Sequence, residues 1–340
     1  MKIVSVCRTY PTQRPGGMPH VTQDRARALA AAGHDVTVVT TGLKNGQYDT
    51  AGRYDMNDEG VRVVHAACPP QAYTQLFAER CKWECRDVKP DVLHLDSFDR
   101  ERPWWVGIAP RTVVTMHGFG VGAMLTAWNR FLGRASTAPA PSWAALRDEA
   151  EVLQTFDRVL AISEHEQWML SDVYNLQDRV RLVPNPIADA FFVEPRLCLP
   201  TSTAPFVCIG NPGTSGNRDF GRVRDAAKAA GIPLEIVTGV SRDAIPEILD
   251  ESRGLVLPTL WSQGYDLAVA EALARRRPVI VSGTGSYWHL RAPYIRIVPR
   301  ACSPDVLVEA LREPLPEVPS NAAYTHRSAV HVERWEAAIA

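Results

Sequence analysis

The stretch Val256-Leu-Pro-Thr-Leu-Trp-Ser-Gln-Gly-Tyr-Asp-Leu-Ala-Val-Ala-Glu-Ala-Leu-Ala-Arg-Arg-Arg-Pro-Val-Ile-Val-Ser282 is the most informative part of this chain. The apolar runs at its two ends predict buried strands, and its Ala- and Leu-rich middle predicts a helix that begins near Asp266. Strand, loop, helix and strand in this order are the repeating unit of a parallel sheet covered by helices. The stretch therefore predicts an α/β fold.

The same rhythm runs through the rest of the sequence. Continuous apolar runs, rather than alternating ones, are typical of parallel strands that are buried on both faces. In the first half the predicted strands are Ile3–Cys7, Val36–Thr41, Val61–His65, Val92–Leu95, Val113–Met116 and Val159–Ile162. In the second half they are Phe206–Ile209, Leu234–Thr238, Leu255–Leu257, Val279–Val281 and Ile295–Val298. Strands that alternate with helices along a chain predict a doubly wound parallel sheet.

The rhythm is interrupted between Pro184 and Pro195, and Pro- and Thr-rich sequence follows as far as Pro205. Such a segment predicts a linker between domains. We expect one Rossmann-like domain over residues 1–190, a second over residues 191–318, and a helical segment over residues 319–340 that packs back on the first. The two domains are expected to face each other across a cleft, where ligand sites commonly lie.

Composition excludes several classes of protein. The chain has 340 residues, 46% hydrophobic content and a formal charge of −1, so no overall charge draws it to nucleic acid or to an anionic membrane. Cys81 and Cys85 lie one helical turn apart, but no neighbouring His or Cys completes a zinc set. Without a signal peptide or a long apolar run, we expect a cytoplasmic monomer or homodimer, with peripheral membrane contact left open.

A glycine-containing loop follows the first predicted strand. Gly16 and Gly17 allow a ligand to approach the backbone closely, and Pro19 suits the first turn of the helix that begins there. The free N–H groups of that helix would face a phosphate. An ordinary turn explains paired glycines equally well. The loop matches neither the G-x-G-x-x-G fingerprint nor a P-loop, which argues against a dehydrogenase and a kinase.

Two polar residues of the opening stretch suggest nucleotide binding. Glu271 lies near the start of the predicted helix, at the carboxyl ends of the strands, where open α/β sheets bind ligands. A carboxylate there can accept hydrogen bonds from both hydroxyls of a ribose. Gln263, eight residues earlier, keeps the hydrogen-bonding capacity of a second carboxylate without its charge.

An ordered set of short motifs resembles the retaining glycosyltransferases of the GT-B fold, family four. The motifs are Pro15-Gly-Gly17, Gly33-His-Asp-Val36, Pro90-Asp-Val-Leu-His94, Thr115-Met-His-Gly118, Asp157-Arg-Val-Leu-Ala-Ile-Ser163, Val183-Pro-Asn-Pro-Ile-Ala-Asp189 and Pro258 through Ser282. The resemblance implies two Rossmann-like domains, an N-terminal acceptor domain and a C-terminal donor domain. It implies retaining transfer of a sugar, expected to be a hexose, from a nucleotide diphosphate to an acceptor hydroxyl.

The resemblance also implies partners and site residues. It implies no metal or other cofactor; UDP is the expected nucleotide of the donor substrate, with GDP as the alternative. The acceptor is expected to be a glycan, a lipid-linked sugar or a small molecule. The implied catalytic residues are His117, Arg218 and Gln263, and the implied donor-binding residues are Gly16, Gly17, Asn211, Arg218, Gly264, Tyr265, Asp266 and Glu271. The implied acceptor-binding residues are His20, Asp96, Phe119 and Ser163.

Several positions depart from the family pattern. Asn211 stands where an Arg is usual, so Arg218, at the spacing from Ala226 that the family's Lys keeps, is the candidate phosphate ligand. Asp266 replaces a Gly, and we expect its charge to compensate for Gln263. Three arginines, Arg275 to Arg277, replace small residues before Pro278.

Simpler structural explanations stay open for several of these residues. His117 would then cap a strand, Ser163 would cap a helix, and Asp96 and Asp99 would lie in a solvated loop. Arg218 would be an ordinary surface arginine.

Alternative functions stay open as well. One alternative is a GT-B enzyme of another kind, such as a nucleotide-sugar epimerase. Another is a relative that only binds a nucleotide sugar. A transferase acting on hydroxymethylated DNA needs a basic aromatic face, for which Arg100, Arg102, Trp104, Trp105 and the loop from Trp128 to Trp143 are the candidates.

Overall fold

A computed structural model describes residues 1–14, 16–44, 46–72, 74–96, 98, 103–117, 143–193, 203–210, 219–257, 259, 266–283, 287, 292–299 and 302–340. These residues form two compact units. The first contains the described residues of 1–118, 143–186 and 328–340, and the second contains those of 187–327.

The first unit is built on an eight-stranded sheet with the strand order β3-β4-β2-β1-β5-β6-β7-β8. Its strands are β1 (Lys2–Cys7), β2 (Asp35–Thr40), β3 (Arg53–Asp58), β4 (Val61–Ala66), β5 (Val92–Leu95), β6 (Arg111–Met116), β7 (Arg158–Ala161) and β8 (Val180–Leu182). Only β3 pairs antiparallel, with β4. The central strands are buried along almost their whole length, as their continuous Val and Ile runs predict.

Helices cover this sheet. They are α1 (Gly17–Ala31), α2 (Gln75–Val88), α3 (Trp143–Leu153), α4 (Glu164–Trp168, which continues as a π-helical turn over Met169–Val173) and the C-terminal helix α9 (Ser328–Ile339). Thr74 begins α2 by accepting a hydrogen bond from the Phe77 N–H, and Lys89 ends it in a left-handed conformation. Helix α9 packs against α1, β7 and β8, so the end of the sequence belongs to the first unit.

The strand order places a reversal of winding beside β1. The chain runs from β1 to β2 on one side and then returns to β5 on the other side of β1. Loops that leave two neighbouring strands in opposite directions open a crevice at their carboxyl ends, which is where doubly wound sheets bind ligands. We therefore expect the first unit to bind a ligand beyond Cys7 and Leu95.

The second unit has a five-stranded parallel sheet with the order β10-β9-β11-β12-β13. Its strands are β9 (Phe206–Ile209), β10 (Leu234–Val237), β11 (Gly254–Leu257), β12 (Val279–Ser282) and β13 (Ile295–Val298). Its helices are α5 (Phe220–Ala230), α6 (Ile245–Glu251), α7 (Leu267–Ala274) and α8 (Pro304–Arg312). The winding reverses between β9 and β11, which gives this sheet its own ligand position. Within the described residues, no helix is long and apolar enough to span a membrane.

The three consecutive arginines before Pro278 have structural roles. Arg275 forms a two-pronged ion pair with Asp250 and also donates a hydrogen bond to the Val193 carbonyl at 2.5 Å. Arg277 donates to the last carbonyls of α6, at 2.8 Å to Leu249. Arg276 adopts the left-handed conformation (φ 56°) that small residues, glycine above all, favour at a helix end. Arg275 and Arg277, which depart from the family pattern, therefore join α7 to α6.

Candidate active site

The loop between β1 and α1 is held by the side chains of two residues that precede the glycines, the buried Tyr10 and the half-buried Gln13. The Tyr10 hydroxyl donates to Asp58 at 2.5 Å. The Gln13 side chain accepts from the Tyr10 N–H at 2.6 Å and donates to the Gly42 carbonyl at 3.1 Å. Gln13 thus ties the loop to the segment after β2. These hydrogen bonds restrain the described part of the loop from Tyr10 to Gln13.

The two glycines begin α1 at the carboxyl edge of the sheet. Gly16 is the N-cap residue and Gly17 is the first helical residue, and both are exposed. The first backbone N–H groups of a helix have no intrahelical partners, and within the described residues no side chain caps this end. His20 follows in the first turn, half-buried, and its N–H donates to the Gly16 carbonyl at 3.2 Å. The geometry suits an anion beside the glycines.

Asp96, directly after β5, is the centre of a buried polar network. It is 3% exposed and pairs with the Arg25 guanidinium of α1. Its Oδ2 accepts from the Thr22 hydroxyl at 2.7 Å, and its Oδ1 lies 3.3 Å from Nε2 of His117, which follows β6. Arg25 also donates to the Thr115 hydroxyl at 3.2 Å. The proposed solvated loop is therefore wrong for Asp96; Asp99 lies outside the described residues.

The network sets the ionisation of Asp96 and the nitrogen of His117 that carries the shared hydrogen. Burial acts to raise the pKa of Asp96, but the Arg25 charge and the hydrogen bond from His117 outweigh it and hold this pKa well below its usual range. Because an ionised carboxylate only accepts hydrogen bonds, Nε2 of His117 must carry the hydrogen between them. In the neutral ring Nδ1 is then an acceptor. His117 is thereby oriented at the carboxyl edge of the sheet.

Ser163 lies at the carboxyl end of the neighbouring strand, β7, and caps α4. Its hydroxyl accepts from the Glu166 N–H at 3.2 Å, while the Glu166 carboxyl accepts from the Ile162 N–H at 3.1 Å. This reciprocal pair closely resembles a capping box. Ser163 therefore caps a helix, as the structural explanation predicts. Its contact with an acceptor stays a prediction. Burial raises the pKa of Glu166 to about 8, so this side chain is largely protonated at neutral pH.

In the second unit, Glu271 lies on α7 and is 6% exposed. Its Oε1 accepts from Nε and Nη2 of Arg242 at 3.3 and 3.2 Å. Arg242 follows β10, so it reaches the site from the carboxyl edge of the sheet. Asp266 occupies the N-cap position of α7, and its proposed compensation for Gln263 stays a prediction.

A cavity at the carboxyl edge of the second sheet is lined by Leu257, Ser282 and Val298 at the ends of three strands. Asp219 and Arg222 at the start of α5 complete it. Arg222 is held by Asp219 at 2.9 Å. Three arginines of the two candidate sites were not predicted from the sequence: Arg222, Arg242 and the buried Arg25. In an Arg-rich chain their only distinguishing signal is a place just after a strand or on a buried helix face.

Several predicted residues lie outside the described residues: Phe119, Asn211, Arg218, Gln263, Gly264 and Tyr265. Among those described, the structure brings Gly16, Gly17, His20, Asp96 and His117 to one edge of the first unit. In the described part of the chain, no three His, Cys, Asp or Glu side chains are arranged to bind a metal ion.

The basic aromatic face proposed for DNA is wrong in its described part. Trp104 and Trp105 are buried, the latter completely. The Trp105 ring stacks on Phe156 with 4.9 Å between the ring centres, and its Nε1 donates to the Thr155 hydroxyl at 3.0 Å. These indoles stabilise the core and cannot stack on exposed bases.

Two Rossmann-like units, each with a ligand position at the reversal of its sheet, define the GT-B class of enzymes. The chain belongs to Glycosyltransferase Family 4, whose sequence profile matches residues 15–191. The resemblance inferred from the motifs is thereby confirmed.

Solved structures share the fold at low sequence identity. Sucrose-phosphate synthase from Thermosynechococcus elongatus aligns with a TM-score of 0.68 and 17% identity, over 99% of this chain and 94% of its own. HepE from Anabaena, solved in complex with UDP, aligns with a TM-score of 0.65 and 12% identity, over 99% of both chains. The catalytic domain of starch synthase IV from Arabidopsis thaliana, bound to ADP and acarbose, aligns with a TM-score of 0.62 and 11% identity, over 99% of this chain and 97% of its own. A search of curated proteins returned no significant match.

Proposed function

We propose that the protein is a retaining glycosyltransferase that moves a hexose from a nucleotide diphosphate to an acceptor hydroxyl without a metal ion. The observation that carries the proposal is the winding of the two sheets. In a chain of this family, this winding supports one ligand site beside Gly16, Asp96 and His117 in the first unit, and another at the carboxyl ends of β9 and β11 in the second. UDP is the expected nucleotide, with GDP as the alternative.

The chemistry assigns a role to each group. Transfer breaks the bond from the anomeric carbon to the diphosphate oxygen and forms a bond to the acceptor oxygen. The bonding electrons leave as charge on the diphosphate, which takes up the proton of the acceptor hydroxyl. The exposed N–H groups at Gly16 and Gly17 are suited to that charge, as fixed donors are in catalysis generally. His117, oriented by Asp96, presents Nδ1 to a sugar hydroxyl. Glu271 accepts hydrogen bonds from the ribose.

The complexes of related structures support a nucleotide-sugar donor. HepE was solved with UDP and also with UDP-glucose, and starch synthase IV was solved with ADP. The acceptor is expected to be a glycan, a lipid-linked sugar or a small molecule. The buried Trp104 and Trp105 argue against DNA as the acceptor.

A panel of UDP-, GDP- and ADP-sugars tests the proposal. We expect the sugars of one nucleotide to raise the melting temperature of the protein. We also expect the protein to hydrolyse one of these nucleotide sugars slowly, and at the same rate with and without EDTA. Proton NMR of the first-formed sugar, or of its transfer product, should show the anomeric configuration of the donor. His117→Ala should lower turnover while nucleotide binding persists. Binding without any turnover would identify a protein that only binds nucleotide sugars, and no response to any nucleotide would overturn the proposal.

A further inference from the structure

Glu271 needs a cationic partner because it is a nearly buried carboxylate. Removing an ionised carboxyl group from water is costly unless a charge and hydrogen bonds compensate for it. The Arg242 guanidinium provides both, through two N–H groups directed at the same oxygen, Oε1, at 3.3 and 3.2 Å. The two side chains are 13% and 8% exposed, so solvent screens their interaction only weakly.

Arg242 is itself held from a second direction. Its guanidinium carbon lies 5.5 Å from the centre of the Phe191 ring, within the range of a cation–π contact. Phe191 is buried in a short 3-10 turn, and Arg242 begins another such turn ahead of α6. A guanidinium fixed in this way restrains the orientation of the carboxylate that it contacts.

The orientation of Glu271 matters for the chemistry proposed above. A carboxylate that binds a vicinal diol must present its oxygens at a set angle to the two hydroxyls. Since Arg242 contacts Oε1, its position sets the plane in which the carboxylate can meet a ribose. A change at Arg242 should therefore affect recognition of the ribose hydroxyls more than any other part of a nucleotide.

We propose that Arg242 is a positioning residue for the donor site, which holds Glu271 oriented so that it selects nucleotides with an intact ribose diol. The proposal rests on the proposed function. Arg242 acts through Glu271 and takes no part in bond making or breaking. It should therefore affect the KM of the donor and leave kcat nearly unchanged.

Calorimetric titration tests this with UDP, GDP and ADP and with the 2′-deoxy forms of those that bind the native protein. We expect Arg242→Met to weaken the ribonucleotide about tenfold and the deoxynucleotide much less, so that the preference between them falls. Arg242→Lys should restore part of the preference because it keeps the charge. Glu271→Gln should remove the preference, and adding Arg242→Met to it should change little.

Arg253→Met is the matched control in the same unit. Arg253 lies over the Phe206 ring at 5.3 Å and makes the same kind of contact away from Glu271. Its variant should keep the native preference for the ribonucleotide, and circular dichroism should show every variant folded.

The outcomes separate the two proposals. If the native protein binds a ribonucleotide and folded Arg242→Met keeps its preference over the deoxy form, the positioning role is overturned and the proposed function stands. If the native protein binds no nucleotide, the proposed function fails and takes this inference with it. A drop in kcat at unchanged KM would also contradict the positioning role.

Discussion

Asp96 is the residue on which the first unit's site depends most. Its carboxylate joins α1, β5 and β6 through Arg25, Thr22 and His117, so one side chain sets both the charge balance and the position of the imidazole. Groups that orient a functional side chain in this way typically contribute a factor of about 10–100 to activity.

Replacing Asp96 with Asn should therefore reduce both activity and stability. Arg25 would stay buried without a counter-ion, which costs about 3–5 kcal/mol, and His117 would lose its charged partner. We expect kcat to fall about 10–100-fold with a smaller change in the KM of the donor, measured by steady-state kinetics. Asp157→Asn is the control, because Asp157 bonds Thr112 at the opposite edge of the same sheet. Equal loss of activity in both variants would contradict the positioning role.

The same substitution should change the stability of the protein in acid. Because the pKa of Asp96 is lower in the folded protein than in the unfolded chain, its contribution is complete above the unfolded pKa of about 3.9 and is lost as the pH falls below it. The difference in the free energy of unfolding between the native protein and Asp96→Asn should therefore become smaller as the pH is lowered from about 4, measured by urea titration.

Glu166 predicts the opposite dependence on pH. Its pKa is raised to about 8 by burial, so the folded protein binds a proton that the unfolded chain releases near pH 4. Stability should fall as the pH rises through that interval. Glu166→Gln stays neutral at every pH. Its free energy of unfolding should therefore rise relative to that of the native protein by up to about 1.4 kcal/mol per pH unit, measured by urea titration between pH 5 and 8. Glu164→Gln, at an exposed position of the same helix, should show no such trend. Parallel curves for the native protein and Glu166→Gln would exclude this behaviour.

At the scale of elements, the strands show what the sequence could predict. Every predicted strand is present, with ends that differ by no more than two residues, because parallel strands buried on both faces leave a continuous apolar run. Two strands were not predicted: β3 (Arg53–Asp58), an edge strand with mostly polar residues, and β8, which has only three residues. Neither strand has the apolar pattern on which the prediction relied.

The candidate site was less predictable than the sheets. Gly16 and His117 could be located because they directly follow strands or begin a helix. The pairing of Arg25 with Asp96 brings together residues 71 positions apart. It depends on which face of α1 meets β5, and no local pattern gives that face. The buried Arg275 and Arg277 were unexpected because an arginine triplet is usually solvated.

The connection between α6 and α7 should therefore depend on charge. Arg275→Met removes the guanidinium that makes the two-pronged ion pair with the buried Asp250 carboxylate, and we expect a loss of about 3–5 kcal/mol in the free energy of unfolding, measured by chemical denaturation. Adding Asp250→Leu should recover part of the loss, because an apolar pair has no uncompensated charge. Arg276→Met, at the half-exposed neighbouring position, is the control and should cost less than about 1 kcal/mol. A similar loss in both single variants would contradict this interpretation.

At the scale of the whole molecule, the order of the chain and the order of the units differ. The chain completes the second unit and then returns to the first as α9. The Trp335 indole of α9 is fully buried in the core of the first unit, and Arg158 holds the Ala338 carbonyl at 3.1 Å. Glu336 pairs with His34 at 2.8 Å. The stability of the first unit therefore depends on residues at the far end of the sequence.

Trp335→Ala should consequently destabilise the first unit selectively. Removing a buried indole costs about 3–5 kcal/mol, and the lost contacts lie beside α1 and the central strands of that unit. Hydrogen exchange should show reduced protection in β1 and β5, more than 230 positions away in the sequence, while β9 and β12 keep their protection. Trp83→Ala, an exposed indole of α2, should leave both patterns unchanged. A loss of protection confined to α9 would show that this helix is an appendage, and an equal loss in β9 and β12 would show that the two units unfold as one.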